Sequence, residues 1–282
     1  MTKNYLSIYA KSFSWAGFFL PKKIYRKCSA LYNFCRSLDD IADQELELNI
    51  KIKQFNEFKD KFINKNNKDQ IISDMHQLIN DCNISVKIVH DLFDGVASDL
   101  KKEVKIKSKK ELLIYSYRVA GTVGLMMAKI LNVKKENSLK AAIDLGIAMQ
   151  LTNIARDIIE DNKKNRKYID ANFESIKKTL VTADTFYKSS FSSINDIPIN
   201  CRFAILVARR IYRQIGYNIL KKRNIENYNN SGKIYVSSLG KFFQTFLCIF
   251  DFLILLTIKT KKHDRENEHQ IIKQEINLNE RI

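Results

Sequence analysis

The apolar residues of this chain recur every three or four positions over long stretches, which is the spacing of one face of an α-helix. After Pro21, for example, Leu31, Leu38 and Ile41 fall on one such face. A proline suits the first turn of a helix because its φ angle is already helical and its missing N–H is not needed there. The periodicity predicts helices over about 22–44, 48–65, 70–101, 109–131, 135–162, 200–226 and 234–261.

Composition also favours an all-α fold. Only 2 prolines and 8 glycines occur among 282 residues, of which 45% are hydrophobic, and so few turn-forming residues are typical of long helices. The chain can bury one sizeable core and contains no linker or internal repeat. We therefore predict a single helical domain over 1–262 and a charged, disordered tail over 263–282. Within the domain, the polar segment 165–198 is expected to be the least ordered part.

The apolar segment 242–258 allows two interpretations. Its length is at the lower limit for a membrane span, and Gln244 and Asp251 lie near its middle. It can be a buried core helix, or it can contact a membrane surface with help from the basic run at 259–262. We expect the protein in the cytoplasm, with peripheral contact to the inner face of the membrane.

The formal net charge of +17 would suit a nucleic-acid-binding protein, yet the basic residues are scattered. Lys, Asn and Ile are enriched together, as AT-rich coding produces, so we expect no nucleic-acid partner and a monomer or weak dimer. The five cysteines are widely spaced and the four histidines form no ligand pattern. This spacing argues against a zinc site or a disulfide framework and favours core thiols in a reducing compartment.

Two acidic stripes occur on the predicted helices. On the first, Asp39 and Asp43 are four residues apart and therefore lie one above the other. Arg36 and Tyr32 continue the same stripe toward the N-terminus. An isolated acidic pair of this kind is usually a solvated helix face, so its meaning depends on what accompanies it.

The second stripe consists of Gln150, Asn153, Asp157 and Asp161, at spacings of three, four and four. At 100° per residue these side chains fall within an arc of about 80°. The opposite half of the helix is apolar at positions 147, 148, 151, 154, 155, 158 and 159. A helix this apolar is largely buried, so we expect the polar stripe to line a cavity and Gly146 to leave room beside it.

Carboxylates gathered in a cavity repel each other by about 3 kcal/mol per pair at about 5 Å and an effective dielectric of roughly 20. A cation must offset this repulsion. Oxygen ligands of the Asp and Asn type, without His or Cys, suit Mg²⁺, which also binds phosphate oxygens. The two stripes are then expected to face each other across a magnesium cluster and a diphosphate, with Arg36 and Arg156 adding positive charge.

At these residues the sequence resembles the squalene/phytoene synthase family, over roughly residues 5–245. The most specific motif is Q-L-T-N-I-A-R-D-x-x-x-D, whereas other prenyl synthases also carry D-D-x-x-D runs. After the Q-L-T-N-I-A-R-D-x-x-x-D motif the family usually reads Arg-x-Tyr-Leu-Pro. Arg166 and Tyr168 are present here, but Ile169-Asp170 replaces Leu-Pro, so this loop departs from the family's pattern. The matching stretches are Y-A-K-S-F-S-W-A (9–16), A-L-Y-N-F-C-R-S-L-D-D-I-A-D (30–43), Y-S-Y-R-V-A-G-T-V-G-L-M-M-A (115–128), L-G-I-A-M-Q-L-T-N-I-A-R-D-I-I-E-D (145–161) and, more weakly, A-R-R-I-Y-R-Q-I-G (208–216).

The resemblance implies an isoprenoid-synthase-type bundle of helices around a central cavity. It implies a Mg²⁺ cofactor, for which Mn²⁺ can substitute, and no nicotinamide. The implied metal ligands are Asp39, Asp43, Asn153, Asp157 and Asp161. The implied diphosphate or substrate contacts are Arg36, Gln150, Asn153 and Arg156.

Other implied roles concern the reacting carbons and the prenyl chain. The implied catalytic residues are Tyr32, Arg36, Tyr115 and Tyr212. Tyr9 and Ser12 lie in a segment that resembles part of the family's substrate lid. Ala120, Gly121 and Gly124 keep one helix face slim, which leaves volume for a prenyl chain, allows close helix packing, or does both.

The implied reaction is the head-to-head condensation of two geranylgeranyl diphosphates to phytoene, through a cyclopropyl diphosphate and with release of diphosphate, in carotenoid biosynthesis. The nearest alternative is the same reaction on farnesyl diphosphate, giving squalene or dehydrosqualene. An alternative of another class is a non-catalytic basic factor for binding or assembly. The presence of all five proposed metal-binding side chains favours an enzyme.

Overall fold

The computed structural model describes residues 11–282, with side chains from residue 13 onward, so Tyr9 and the side chain of Ser12 lie outside the described part. The all-α prediction is confirmed. The helices are α1 Lys11–Gly17, α2 Lys22–Asp43, α3 Leu48–Ile63, α4 Gln70–Cys82, α5 Val86–Ala97, α6 Lys109–Ser116, α7 Thr122–Ile130, α8 Glu136–Lys163, α9 Phe173–Ser189, α10 Ile199–Leu220, α11 Ile225–Asn229, α12 Ser238–Thr257 and α13 Glu266–Lys273. A π-helical turn, Tyr117–Gly121, joins α6 to α7, and two short 3₁₀ turns are Ser192–Asp196 and Leu278–Glu280. Two-residue strands β1 Val104–Lys105 and β2 Arg166–Lys167 pair in parallel.

Helix α8 lies at the centre of the fold and packs against the π-helical turn, α7, α9 and α10. Its residues Ile147, Ala148, Leu151 and Ala155 are fully buried, as the apolar periodicity predicted. Burial of each large apolar side chain contributes about 1.5–3 kcal/mol. The helix that carries the second acidic stripe is therefore held firmly by its apolar side.

Two glycines bring α8 into backbone contact with the preceding helical segment. A Cβ atom on Gly124 would lie 2.2 Å from the carbonyl oxygen of Ala142, and one on Gly146 would lie 2.2 Å from that of Ala120. Gly146 therefore does not leave open space beside the acidic stripe, contrary to prediction, because the Ala120 backbone fills that space. A Cβ atom on Gly121 would also lie 3.1 Å from an isoleucine of α8. Close helix packing thus accounts for both Gly121 and Gly124.

The segment 165–198 is not loosely ordered, contrary to prediction. Residues Phe173–Ser189 form the 17-residue helix α9, which packs along α8. Its N-cap is Asn172, whose side-chain oxygen accepts a hydrogen bond from a first-turn N–H at 2.8 Å. Ile176 and Phe186 are fully buried, whereas Lys177 and Lys178 are exposed.

The single helix predicted over 70–101 is divided at Asn83, where φ is 51°. This left-handed residue caps the end of α4, and asparagine adopts that conformation more readily than most residues. The helix predicted over 109–131 contains the π-helical turn instead of running straight through.

The charged tail 263–282 is ordered, so the prediction of a disordered segment is wrong. It forms helix α13, and Ile272 and Leu278 are fully buried. Near its end, Arg281 forms a bidentate ion pair with the buried Asp91, with both N–O distances 2.9 Å. The composition concealed these contacts because a few apolar residues carry the packing while the many charged ones face solvent.

Helix α12 presents its apolar residues to solvent, and the core interpretation of segment 242–258 is therefore wrong. Only Gln244, Cys248 and Leu255 of its 20 residues are buried. Among the described residues it is the one helix long and apolar enough to cross a membrane, and 17% of its apolar window is buried. Nine large apolar side chains are 46–83% exposed, namely Leu239, Phe242, Phe243, Phe246, Ile249, Phe250, Leu253, Ile254 and Leu256.

Candidate active site

The first acidic stripe lies near the C-terminal end of α2. Asp39 is accessible to solvent although protein surrounds it densely, as expected of a carboxylate that lines a recess. Burial, the charge of Asp43 and, further away, other carboxylates raise the pKa of Asp39 to about 7. Arg36, one turn earlier, pairs with Asp40 at 2.6 Å and offsets this repulsion only in part.

Arg166 fixes the second carboxylate of this stripe. Its Nη1 donates to Asp43 Oδ1 at 2.7 Å, and its Nη2 donates to the carbonyl of Ala42 at 3.0 Å. Lys164 Nζ lies 3.1 Å from the other oxygen of Asp43. Burial favours the neutral form of Asp43, but the two cations outweigh it and hold its pKa below the usual value. Arg166 thus reaches the site from β2 even though Ile169-Asp170 follows in place of Leu-Pro.

On α8 the second stripe carries its own positive partner. Arg156 donates two hydrogen bonds to Asp157, from Nε to Oδ1 at 2.8 Å and from Nη2 to Oδ2 at 2.6 Å. Lys233 Nζ lies 3.4 Å from Asp157 Oδ1 and also contacts Glu160. One turn earlier, the side-chain oxygen of Asn153 is buried and has no hydrogen-bond partner within the described part of the chain.

Charges from both stripes act on Asp161. Burial and the neighbouring Asp157 raise the pKa of Asp161 to about 7, with smaller contributions from Asp99 and Asp43, while Arg166 opposes them. Because Asp43 belongs to α2 and Asp161 to α8, members of the two stripes lie close enough for the charge of one to act on the other. We call the group Asp39, Asp43, Asp99, Asp157 and Asp161 the acidic recess.

Asp99 is a member of the acidic recess that the sequence did not reveal. The hydroxyls of Tyr115 and Tyr168 donate to its two oxygens, each at 2.7 Å. The two phenol rings stack with centroids 4.7 Å apart. Burial raises the pKa of Asp99, against the pull of Arg166 and the two hydroxyls. Of the implied catalytic tyrosines, Tyr115 is therefore held by a carboxylate that also borders the recess.

The other implied tyrosines, Tyr32 and Tyr212, lie close to each other and to carboxylates of the recess. Burial raises the pKa of Tyr32 to about 12, with Arg36 opposing and Tyr212 reinforcing the shift. Tyr212 in turn is close enough to Arg156 for that charge to act on its hydroxyl. The ring of Phe13, from α1, lies 5.0 Å from the ring of Tyr212. The first described helix thus borders the same region as the tyrosines.

Two further residues expected to contact substrate are less informative. Gln150 is half-buried on α8, one turn before Asn153. Ala120 is also half-buried, and its carbonyl faces Gly146.

The donor atoms of the acidic recess fit a hard divalent cation. All are oxygens, which is the ligand type that Mg²⁺ and Mn²⁺ prefer. The buried side-chain oxygen of Asn153, which has no partner among the described residues, is a polar atom that a cation would satisfy. Burial and, after it, the charge of neighbouring carboxylates raise the pKa values of Asp39 and Asp161, and a bound cation would favour the ionised form of both.

A second polar cluster lies away from the recess, near the other end of α8. The buried Asp144 accepts hydrogen bonds from Nε2 of His263 (2.9 Å) and Nε2 of His269 (2.7 Å) and from the Ser189 hydroxyl (2.8 Å). Three potential ligand atoms of this cluster lie within 4.8 Å of one another. The two histidines are six positions apart and approach Asp144 only through the fold of the tail, so their spacing gave no ligand pattern.

Comparison with known sequences agrees with this geometry. Residues 6–173 match the family described as Squalene/phytoene synthase. The 15-cis-phytoene synthase of Enterobacter agglomerans is 30% identical over 248 residues, which cover 77% of this chain and 84% of the relative. The 15-cis-phytoene synthase of a Paracoccus strain is 36% identical over 149 residues, which cover 46% of this chain and 49% of that protein.

Solved structures share the fold. A dehydrosqualene synthase bound to a ligand superposes with a TM-score of 0.75 at 24% identity, over 90% of this chain and 94% of the other. A squalene synthase from Alicyclobacillus acidocaldarius superposes with a TM-score of 0.68 at 16% identity, over 80% of this chain and 92% of the other. Both structural similarities show that this chain has the same fold as these proteins.

Proposed function

The chain belongs to the squalene/phytoene synthase family, and from this premise we propose that it condenses two geranylgeranyl diphosphates head to head to phytoene. The observation that carries the proposal is that Asp161 on α8 feels the charges of Asp157 on its own helix and of Asp43 on α2. Carboxylates from two helices that meet in this way can hold cations against a diphosphate. The phytoene synthases that are 30% identical over most of their length support the choice of reaction.

Mg²⁺ is part of the proposal, with Mn²⁺ as a substitute. When bound, the cation would act as a Lewis acid on the departing diphosphate. The side chains that would hold it are Asp39, Asp43, Asn153, Asp157 and Asp161. No nicotinamide is included, because the formation of phytoene requires no reductant.

The chain's own residues would bind the diphosphate and protect the reacting carbons. A guanidinium has five N–H donors, and the pairing of Arg156 with Asp157 uses two of them, so Arg156 can also bind phosphate oxygens. Tyr32 and Tyr212 would line the apolar side. Their hydroxyls are protonated at neutral pH, as in any ordinary phenol, and burial raises both pKa values further. Their ring faces can stabilise a carbocation and exclude water from it.

The atoms of the proposed reaction balance without a further co-reactant. In the first half, one allylic C–O bond breaks, diphosphate leaves, the double bond of the second substrate attacks the cation, and a proton is lost to form the cyclopropyl diphosphate. In the second half, the remaining diphosphate leaves, the carbon skeleton rearranges, and a second proton is lost to give the hydrocarbon. The released diphosphate can accept the final proton.

The direct test is to incubate the purified protein with Mg²⁺ and either geranylgeranyl or farnesyl diphosphate, and to identify the hydrocarbon by mass spectrometry. We expect C40 phytoene, formed more efficiently than any C30 product. Equal or better formation of C30 hydrocarbon from farnesyl diphosphate would reject phytoene as the product and leave the reaction class intact. The dehydrosqualene synthase fold makes this C30 reaction the specific alternative.

A non-catalytic binding or assembly factor is the alternative of another class. It would show no hydrocarbon product with either substrate. It would also lack thermal stabilisation by a non-hydrolysable diphosphate analogue plus Mg²⁺, which an active site of the proposed kind should show.

A further inference from the structure

Helix α12 is amphipathic with its apolar side facing outward. Its inner stripe, at residues 244, 248, 251 and 255, includes Gln244 and Asp251, while its outer side holds the nine exposed apolar residues named above. We call these nine residues the outer face. A helix on a water-exposed surface normally has the reverse arrangement, and large contiguous apolar patches mark binding surfaces.

Polar contacts fix this orientation. Arg210 of α10 donates through Nε to Asp251 at 2.7 Å and through Nη1 to Gln244 at 3.2 Å. The Gln244 amide donates to the side-chain oxygen of Gln214 at 3.0 Å. Rotating the helix about its axis to bury its apolar side would break these hydrogen bonds. It would also separate Asp251 from Arg210. The outer face is therefore held outward by the body of the protein.

The outer face continues onto α1. The Trp15 ring meets the Phe242 ring edge-on with centroids 4.8 Å apart, and Trp15 Nε1 donates to the Thr245 hydroxyl at 2.9 Å. Phe18, just beyond α1, is 85% exposed. The α1 helix thus lies between the outer face and Tyr212, which Phe13 contacts.

Positive charge surrounds the outer face. Lys259, Lys261 and Lys262 follow α12 directly, and Lys22 and Lys23 follow Phe18; all five are exposed. None of the five forms an ion pair with a residue in the part of the chain that the structure describes. The only carboxylate on α12 is Asp251, which faces inward. An apolar face bordered by exposed lysines is complementary to an anionic lipid surface.

We propose that the outer face and Phe18 dock the protein on an anionic bilayer, with α12 lying in the plane of the interface. A span is not expected, because the inner stripe is tied to α10 by hydrogen bonds. This inference does not depend on the proposed reaction, since it rests on α12, α1 and the lysines alone. It places the membrane beside α1, whose Phe13 ring contacts the ring of Tyr212.

The test uses the full chain and its single tryptophan as an internal probe. Vesicles of phosphatidylcholine with about 30 mol% phosphatidylglycerol should bind the protein in flotation, and brominated lipids should quench Trp15. The triple variant F246S/F250S/L253S should lower the partition coefficient at least about 100-fold. The control I50S/I63S/V181S removes three apolar residues of similar exposure, 43–55%, and should bind like the unmodified protein.

Several outcomes would overturn the proposal. The first is that the unmodified protein does not float with the vesicles, and the second is that the face variant and the control bind equally well. The third is that only detergent, and not high salt, releases the protein, which would indicate insertion into the bilayer. Light scattering adds a further arm. If the unmodified protein is a dimer and the face variant a monomer, with vesicle binding unchanged, the outer face is an interface between copies. Circular dichroism of both variants establishes that they fold, and no substrate is present, so the result is independent of turnover.

Discussion

Helices α8 and α12 both turn polar side chains toward the protein, and they differ in where they place their apolar ones. In α8, Ile147 and Leu151 are buried and the acidic stripe faces the recess. In α12, Gln244 is buried while Phe246 and Phe250 are more than half exposed. The hydropathy pattern of a helix therefore shows that it has two sides, and the neighbouring helices decide which side faces water.

The polar groups of the two helices also differ in how they are balanced. Asp251 of α12 has a full counter-charge in Arg210. In the acidic recess, burial and, after it, neighbouring carboxylates raise the pKa of Asp39 and of Asp161. A carboxylate whose charge is neutralised by an arginine stabilises the structure. Buried carboxylates with raised pKa values instead indicate a functional site, here one that can bind a cation.

The largest effect is expected from adding one methyl group to α8. At Gly146→Ala the new Cβ would meet the backbone of Ala120 and Gly121 at 2.2–2.9 Å, and a backbone atom cannot give way. We expect a loss of at least about 3 kcal/mol in the free energy of unfolding, measured by denaturant titration. Gly240→Ala on α12 is the matched control: its Cβ would meet the Val236 side chain at 2.9 Å, which can move. Equal losses of stability in both variants would show that the backbone contact of Gly146 does not account for the effect.

Next in size is the comparison of one carboxylate on each helix. Asp157→Asn should lower turnover at least about 100-fold with the fold intact, because it removes charge from the recess. Asp251→Asn should leave turnover within about twofold and should lower stability slightly, because Arg210 loses its partner. Product formation and thermal unfolding measure the two effects. Normal turnover in the Asp157 variant would remove it from the proposed metal site.

A smaller effect is expected at Asp99, which orients Tyr115 and Tyr168. Asp99→Asn should lower turnover about 10–100-fold, as is typical when a supporting partner of a metal site is lost, and should alter the pH profile because an ionisable group with a raised pKa is gone. Asp91→Asn is the control, since Asp91 is likewise buried and accepts from the Tyr117 hydroxyl at 3.0 Å. That variant should lose stability and keep its turnover and pH profile. The same activity loss in both variants would assign Asp99 a structural role.

The smallest effect concerns the attachment of the tail to α8 and its dependence on pH. Burial lowers the pKa of His263, but Asp144 and Glu266 outweigh it, so the pKa is raised; its stabilisation is full below about 6.5 and is lost as pH rises through the folded pKa. Asp144 has a lowered pKa, despite its burial, because the two histidines donate to it. Its contribution is present above about 3.9 and is lost as pH falls.

The tail should therefore be held most firmly between about pH 4 and 6.5. Hydrogen exchange of residues 266–273, corrected for the intrinsic rate at each pH, measures this. Lys140, which pairs with Glu266 at 3.3 Å, stays charged across the range. His263→Gln should remove the loss on the alkaline side, and an unchanged profile in that variant would assign the pH response to another group.

The helices and the two acidic stripes could be predicted because each depends on spacing within one segment. Asp39 and Asp43 are one turn apart, as are Asp157 and Asp161, and the fold needed only to bring the two helices together. Asp99 could not be predicted in this way. It follows α5 in an irregular segment, and its partners Tyr115 and Tyr168 lie 16 and 69 positions away.

The tail and α12 show two other limits of the sequence. Charged residues dominate 263–282, and the attachment depends on Ile272, Leu278 and Arg281, whose partners cannot be recognised from composition. For α12, total hydropathy is the same whether the apolar side faces the core or the solvent. Contacts between Arg210 and the inner stripe decide the orientation of α12. The sequence does not reveal them, because Arg210 lies on a different helix.

The anchoring of the tail has a consequence for how the chain is made. Asp91 and Asp144 are buried acids, and both receive counter-charges or hydrogen bonds from residues near the C-terminal end, Arg281 for the first and His263 and His269 for the second. Until those residues leave the ribosome, each carboxylate would have to be buried without its full set of partners, which is costly. Helices made early can form as they emerge. The final packing around Asp91 and Asp144 must therefore wait until these tail residues have been made.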